Sequence, residues 1–392
     1  MIDIMKPVRT FLQQNSIRAL LKIEKSIYDI TKGRCAKNRF LSSVKIPHVG
    51  TNVRIIKETE NSTYIAKLNP DGTYDKSDFR ILCTTDLHLD KDYGLNDKTL
   101  QHFVNQIADL KPDLVVLTGD VILSKYQQID AIQFAQMMDE IGVYWAYVFG
   151  NHEAREEKEY FKYLLYKSLI DSPFCLSKFG DPSLFGYGNF IVNIMNDEHS
   201  LRQSLVFFDS GRKICEPHRS RDGVPEELDG CDYIKPSQIE WYTDEINSVK
   251  KQYGDVKSMI YLHIPLPEYE GLFVGEADGS YTPAEGVEVV YGTMREKIGC
   301  SAYNSGLFDA MKKNGSQAIF CGHDHCNDFC AKKQGIYMVY NQTGGYNCYR
   351  LYDHDILSSE ETTWPYGVNF TDVHADGSLK FGHRKHTLYM GK

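Results

Sequence analysis

From Phe79 onward, hydrophobic and polar positions follow two alternating rhythms. Phe79-Arg-Ile-Leu-Cys-Thr-Thr85, Asp113-Leu-Val-Val-Leu-Thr118 and Val143-Tyr-Trp-Ala-Tyr-Val-Phe149 are apolar runs of strand length, each stopping at a polar cluster. Between them, Lys98–Leu110 and Ala131–Ile141 carry apolar side chains at helical spacing, and Lys111-Pro112 and Gly142 close those helices. Strand, helix and strand in succession predict a layered α/β fold. Leu205–Asp209, Met259–His263 and Ala318–His325 are further strand-like runs, the last two ending in histidine. No unit of 20–50 residues recurs, which excludes a repeat architecture.

The flanks read differently. Leu12, Ile17, Leu20, Leu21, Ile23, Ile27 and Ile30 predict an amphipathic helix over residues 11–30, ended by Lys32-Gly-Arg. Its mixed-charge polar face favours packing on its own domain over a membrane-surface or partner role. Thr63–Leu68 followed by Asn69-Pro-Asp-Gly predicts a strand and a tight turn, because proline presets φ and glycine accepts φ > 0. Asp372–His383 reads as a hairpin about Asp376-Gly377, its histidines structural or at the surface. The expected organisation is a helical extension over 1–50, a small β segment over 51–78 and a catalytic domain over 79–392. Insertions are expected near 160–190, 212–236 and 268–303.

Composition narrows the function. Of 392 residues, 44 are Lys or Arg and 53 are Asp or Glu, giving a net charge of −9. That balance disfavours general nucleic-acid binding, which needs a cationic surplus. The apolar runs are far shorter than the ~20 residues that span a bilayer, and Asp3, Arg18 and Lys22 interrupt any leader-like segment, so a cytoplasmic protein is expected. Ten scattered cysteines suit reduced thiols rather than a disulfide framework.

The polar clusters at the strand ends carry the chemistry. Asp86 and His88 stand two apart, so at the end of an extended strand both can project to one side and chelate one ion. Asp120 follows Gly119, and its two oxygens can each hold a different ion. Asn151 and His152 follow Gly150, His263 ends its strand, and Gly322-His323-Asp-His325 repeats the two-apart spacing. Singly these are weak signals. In order, D-x-H, G-D, G-N-H-E, a strand-terminal H and G-H-x-H resemble the calcineurin-like metallophosphoesterase superfamily over about residues 79–345.

The resemblance implies a four-layer α/β/β/α sandwich, here with an N-terminal helical/β extension, and two divalent metal ions at the strand ends. Manganese is expected first, with iron, zinc and magnesium as alternatives. Carried over by position, Asp86, His88, Asp120 and His325 would hold one ion, and Asp120, Asn151, His263 and His323 the other. His152 would be the catalytic imidazole, acting with Asp120, and the reaction an in-line attack by a metal-bridging hydroxide. Two divalent ions bring about +4 and Asp86, Asp120 and hydroxide remove three, leaving roughly +1 to attract phosphate. Glu153, Arg155, Asn304 and Asp328 are supporting or substrate-contact candidates.

The chain most resembles the purple acid phosphatase-like branch that keeps D-x-H, through His263-Ile-Pro-Leu-Pro-Glu-Tyr269, Asn304-Ser-Gly-Leu-Phe308 and Cys321-Gly-His-Asp-His-Cys-Asn-Asp-Phe329. Leu123 replaces the tyrosine of true purple acid phosphatases; of the arginines that Ser/Thr phosphatases carry just before G-N-H-E and after G-D, the first is Phe149 here, and Val121-Ile-Leu-Ser-Lys follows Asp120. The expected activity is phosphomonoester hydrolysis on a small molecule or phosphoprotein, with the insertions setting specificity. The 268–303 segment, lying between two ligand strands, could roof the site. Phosphodiester hydrolysis and a non-catalytic, metal-stabilised scaffold are the rivals. A structural zinc site from Cys321, Cys326, Cys330, His323 and His325 is a further alternative that its spacing fits poorly.

Overall fold

The structure, a computed structural model, describes residues 43–90, 95–124, 127–153, 159–348 and 366–385. The helix expected over 11–30 lies outside the described residues, as does Arg155. Chain order among the described elements begins β1 (Val53–Glu58), β2 (Ser62–Lys67), β3 (Phe79–Thr84), α1 (Asn96–Leu110), β4 (Leu114–Leu117), α2 (Gln127–Ile141), β5 (Trp145–Tyr147) and α3 (Glu159–Ile170). It continues through β6 (Phe190–Asp197), β7 (Ser200–Phe207), α4 (His218–Asp222), α5 (Pro236–Tyr253) and β8 (Ser258–Tyr261). After a 3₁₀ turn come β9 (Phe273–Gly275), β10 (Tyr281–Pro283), β11 (Glu288–Thr293), α6 (Leu307–Asn314), β12 (Ser316–Cys321), β13 (Asp328–Lys333) and β14 (Ile336–Tyr340). The hairpin β15 (Gly367–Val373) and β16 (Leu379–Lys385) completes the order.

A nine-stranded sheet, β1-β2-β6-β7-β8-β12-β14-β13-β11, faces a five-stranded sheet, β16-β15-β3-β4-β5. Alternation along each strand decides which side chains meet between them. Ile81 and Cys83 of β3, Leu114 and Val116 of β4 and Ala146 of β5 join Val192, Leu205, Met259 and Phe320 from the larger sheet in one buried cluster. An aromatic ladder runs across four neighbouring strands: Phe190–Phe207 at 4.4 Å, Phe207–Tyr261 at 5.0 Å and Tyr261–Phe320 at 4.6 Å between ring centroids. Each fully buried ring contributes about 2–3 kcal/mol, so the ladder fixes the register as well as the separation of the strands.

The outer faces carry the helices. Trp241, Tyr242 and Ile246 of α5 and Leu307, Phe308 and Met311 of α6 pack on Val206, Ile260 and Ile319 of the larger sheet. On the smaller sheet, Phe103 of α1 stacks on Phe134 of α2 at 6.1 Å, and Phe134 meets Trp145 of β5 edge-on at 5.8 Å. The result is the expected four-layer α/β/β/α sandwich. Residues of the 268–303 insertion form β11, which pairs with β13 and extends the large sheet. No described helix is long and apolar enough to cross a membrane.

Candidate metal centre

β3, β4 and β5 run parallel, as do β8 and β12, so their C-terminal ends present Asp86, Asp120, Asn151, His263 and His323 at one rim of the sandwich. The backbone turns sharply there. Asp86, His88, Asp120 and His323 have φ of 52°, 47°, 50° and 90°, a left-handed conformation costly for side-chain-bearing residues and concentrated at functional sites. Gly150 is required by close approach, because a Cβ on it would stand 2.0 Å from Asp120 Oδ1. Gly119, at φ 94°, would place a Cβ 2.7 Å from Gly150 N.

The donor atoms form three clusters linked through His88 Nε2 and His263 Nε2. Asp86 Oδ1 lies 3.3 Å from both His88 Nε2 and His325 Nε2. Asp120 Oδ2 lies 3.5 Å from His88 Nε2, 3.4 Å from His263 Nε2 and 3.8 Å from His152 Nε2. Asn151 Oδ1 lies 2.8 Å from both His263 Nε2 and His323 Nδ1. Among the described residues, Asp120 Oδ2 is buried with no hydrogen-bond partner, an arrangement whose cost is met where a cation sits against the oxygen. The residues therefore offer candidate ligands for a dinuclear metal site, an oxygen and imidazole donor set that suits divalent transition ions. His263 Nδ1 donates to Thr118 O at 2.7 Å, which leaves Nε2 as the ring atom directed at Asp120.

The electrostatics point the same way. Burial alone would neutralise these groups, but attraction between them wins. Burial opposes ionisation of Asp86 and Asp120, yet hydrogen bonds and charge from His325 and His88 on the first, and the charge of His263 and His88 at 3.4 and 3.5 Å on the second, hold both carboxyls well below the usual range. Burial likewise opposes charge on His88 and His263, but the two aspartates raise them to about 9 and about 10. His323, desolvated and beside His263, falls to about 4.

Cations must displace protons from His88 and His263, so apparent metal affinity rises with pH until those groups deprotonate near 9 and 10. In chelated protein, the same pair stabilises the fold fully below an unfolded pKa of about 6.5. That contribution is lost as pH rises through 9–10. Calorimetric metal titrations and thermal unfolding of chelated protein across pH 6–10 measure the two effects.

Glu153 ties two of the loops together. Its carboxylate accepts backbone N–H groups of Asp120 at 3.0 Å, Val121 at 2.6 Å, Ile122 at 3.0 Å and Gly150 at 2.8 Å. Burial and the Asp120 charge push it up to about 7 despite those donors. His152 donates its backbone N–H to Asp120 Oδ1 at 2.8 Å and holds a partly exposed ring at the rim. Asn304 instead accepts from Gly306 N and donates to Glu268, as a loop residue. Asp328 binds Gln342 and His383 within the fold. Neither borders the two cavities at the centre. The zinc alternative is not supported: Cys321 and Cys330 belong to separate apolar clusters on opposite faces of the large sheet and do not converge with the histidines.

Sequence reading missed three neighbours of the centre. Asp324 and Asn347 line a cavity of about 310 Å³ with His88, His152, His323 and His325. Cys348 Sγ lies within 4.8 Å of donor atoms of His88 and His325 and donates to the Asp86 carbonyl at 3.2 Å. Asn347 and Cys348 follow the end of β14, so position after another strand of the large sheet was the available signal.

Residues 79–327 match the calcineurin-like phosphoesterase family. Phosphatase DCR2 of Saccharomyces cerevisiae is 29% identical over 66% of this chain and 46% of its own length. Probable inactive purple acid phosphatase 29 of Arabidopsis thaliana is 28% identical over 62% of each chain. Probable inactive purple acid phosphatase 14 of the same plant is 28% identical over 72% of this chain and 73% of its own. The chain thus spans about half to two thirds of the first two relatives. A dimetal phosphatase from Danio rerio superposes with a TM-score of 0.51 at 12% identity, covering 79% of this chain and 97% of that one, and supports the fold. Because the matched span runs from the first strand of the smaller sheet past His325 and so takes in Asp86, Asp120, Asn151, His263 and His323 together, the chain belongs to the calcineurin-like phosphoesterase family.

Proposed function

We propose that this chain is a phosphomonoesterase dependent on two divalent ions. Asp86, His88, Asp120 and His325 hold one ion, and Asp120, Asn151, His263 and His323 the other, with manganese the expected metal. The observation that carries this reading is Asp120 Oδ2, buried without a hydrogen-bond partner among the described residues and 3.4–3.8 Å from three imidazoles. When bound, such a pair of ions supplies Lewis acidity, lowering the pKa of water and offsetting charge on phosphate oxygens. The protein's part is to place the other groups. Glu153 fixes the Asp120 and Gly150 backbones relative to each other. His152, tethered through its own N–H to Asp120, presents an imidazole to both cavities and can give a proton to the departing alkoxide.

The names of the Arabidopsis relatives include the word inactive, so turnover has to be measured on this chain. Matched aryl phosphomonoester and diester substrates are assayed with Mn²⁺, Zn²⁺, Mg²⁺ or chelator. Metal-dependent monoester hydrolysis is expected, and His152→Ala lowers kcat by about 10²–10⁴-fold while metal content is unchanged. Preferential diester cleavage would replace the monoesterase reading, and wild-type rates in the variant would remove His152 from the chemistry.

A further inference from the structure

We propose that Arg212 and Lys213 form a cationic clamp that selects dianionic phosphomonoesters over monoanionic diesters; this rests on the hydrolase reading above. A second cavity, of about 300 Å³, adjoins the first and shares His152 and His323 with it. Its lining joins Asn151, His152 and His323 of the centre with Arg212, Lys213 and Cys231, whose Sγ lies 3.5 Å from His323 Nε2. The two cavities differ in charge. Among the described residues, the first is bordered by Asp324 and by no Lys or Arg, whereas the second has two cations and no carboxylate. In a chain of net charge −9, that side of the centre is where an extra anionic charge is favoured.

The clamp is mounted on a folded arm. Gly211 N donates to Asp209 Oδ1 at 3.0 Å, Asp232 N to Arg212 O at 3.3 Å and Ile214 N to Gly230 O at 3.2 Å, while Lys213 bridges Cys231. Ile214, Val224 and Tyr233 make a small core of the arm's own. Arg219 closes the loop by donating to the Glu226 and Leu228 carbonyls at 2.7 and 2.8 Å. The buried Lys235–Asp232 ion pair anchors the arm's exit. With the backbone of the two cations fixed in this way, less ordering is left for substrate binding to bear.

Charge then sets the selectivity. With the centre at roughly +1, a monoester dianion keeps about one unmatched negative charge, while a diester monoanion is already balanced. Cations beside the centre attract the first substrate more strongly than the second. The clamp therefore acts on the ratio of the two activities.

The test compares wild type, Lys213→Glu, Arg212→Lys and the double variant Arg212→Gln/Lys213→Gln on matched aryl mono- and diesters. Metal content and thermal unfolding serve as controls. The double variant is expected to lower the monoester-to-diester ratio of kcat/KM by about 10–100-fold. Arg212→Lys should retain most of the ratio, and Lys213→Glu, a change at an exposed position, should lower it. Inorganic phosphate should bind the metal-loaded double variant more weakly by calorimetry, by a similar factor. Equal falls on both esters, or an unchanged ratio with unchanged phosphate affinity, would overturn the clamp. A wild type that holds two ions without turnover would instead refute the hydrolase reading, and phosphate calorimetry would still decide whether the clamp binds anion.

Discussion

Asp120→Asn is expected to cost at least about 10³-fold in kcat, together with one or both ions. The substitution preserves shape and removes the two properties that the site uses. One oxygen already accepts the His152 N–H at 2.8 Å, so the position facing His88, His152 and His263 passes to an amide nitrogen that cannot ligate a cation. The lost charge also removes support for the protonated rings of His88 and His263, both raised in part by Asp120. Metal content by mass spectrometry and initial rates on an aryl monoester measure both losses. A variant that kept two ions and wild-type turnover would show that Asp120 is not the bridge.

Glu153→Ala should be the most damaging change to stability. It strips four backbone N–H groups of their common acceptor in a buried loop junction. At about 1–3 kcal/mol per unmet donor, with partial relief by entering water, the loss is roughly 3–6 kcal/mol. That is a large share of the 5–15 kcal/mol typical of folded proteins. A fall in Tm on the order of 5–10 °C is expected, with weaker metal binding because the Asp120 and Gly150 backbones are released.

Glu153→Gln removes the titratable group and keeps one acceptor oxygen, so two of the four N–H groups keep a partner and two face an amide NH2. Glu153 is raised to about 7, so its carboxyl favours the fold fully below an unfolded pKa of about 4.3. That contribution disappears as pH rises through about 7. In chelated protein the glutamine variant should lack this dependence between about pH 4 and 7. An unaltered Tm in the alanine variant would mean that the four N–H groups do not depend on this carboxylate.

Much of the centre was legible in the sequence because each donor follows its own strand. An apolar run that stops at Asp86, Asp120, Asn151, His263 or His323 is a local pattern, and parallel strands align their ends without further information. What was not legible depends on partners distant in sequence or on backbone atoms. Glu153 could be named, but not its four acceptor bonds, because peptide N–H groups leave no trace in residue identity. Asn347 and Cys348 reach the site by a loop with no metal-ligand spacing. The strand β6 was not singled out because Asn193 interrupts its apolar run, a polar position met by Ser204 at 2.6 Å across the sheet. Similarly, β11 lay in a Gly- and Tyr-rich segment, and its pairing with β13 shifts register between Val289 and Tyr291, which obscures the two-residue period.

The most direct test of the central claim is to strip the protein of metal, then add Mn²⁺ stepwise while recording bound metal and phosphomonoester hydrolysis on the same samples. The dinuclear account predicts saturation at about two ions per chain, with turnover appearing chiefly as the second site fills and Asp120→Asn failing to reach that point. Saturation at two ions with no hydrolysis would contradict the catalytic claim, and saturation at one ion with full activity would contradict the shared Asp120 bridge.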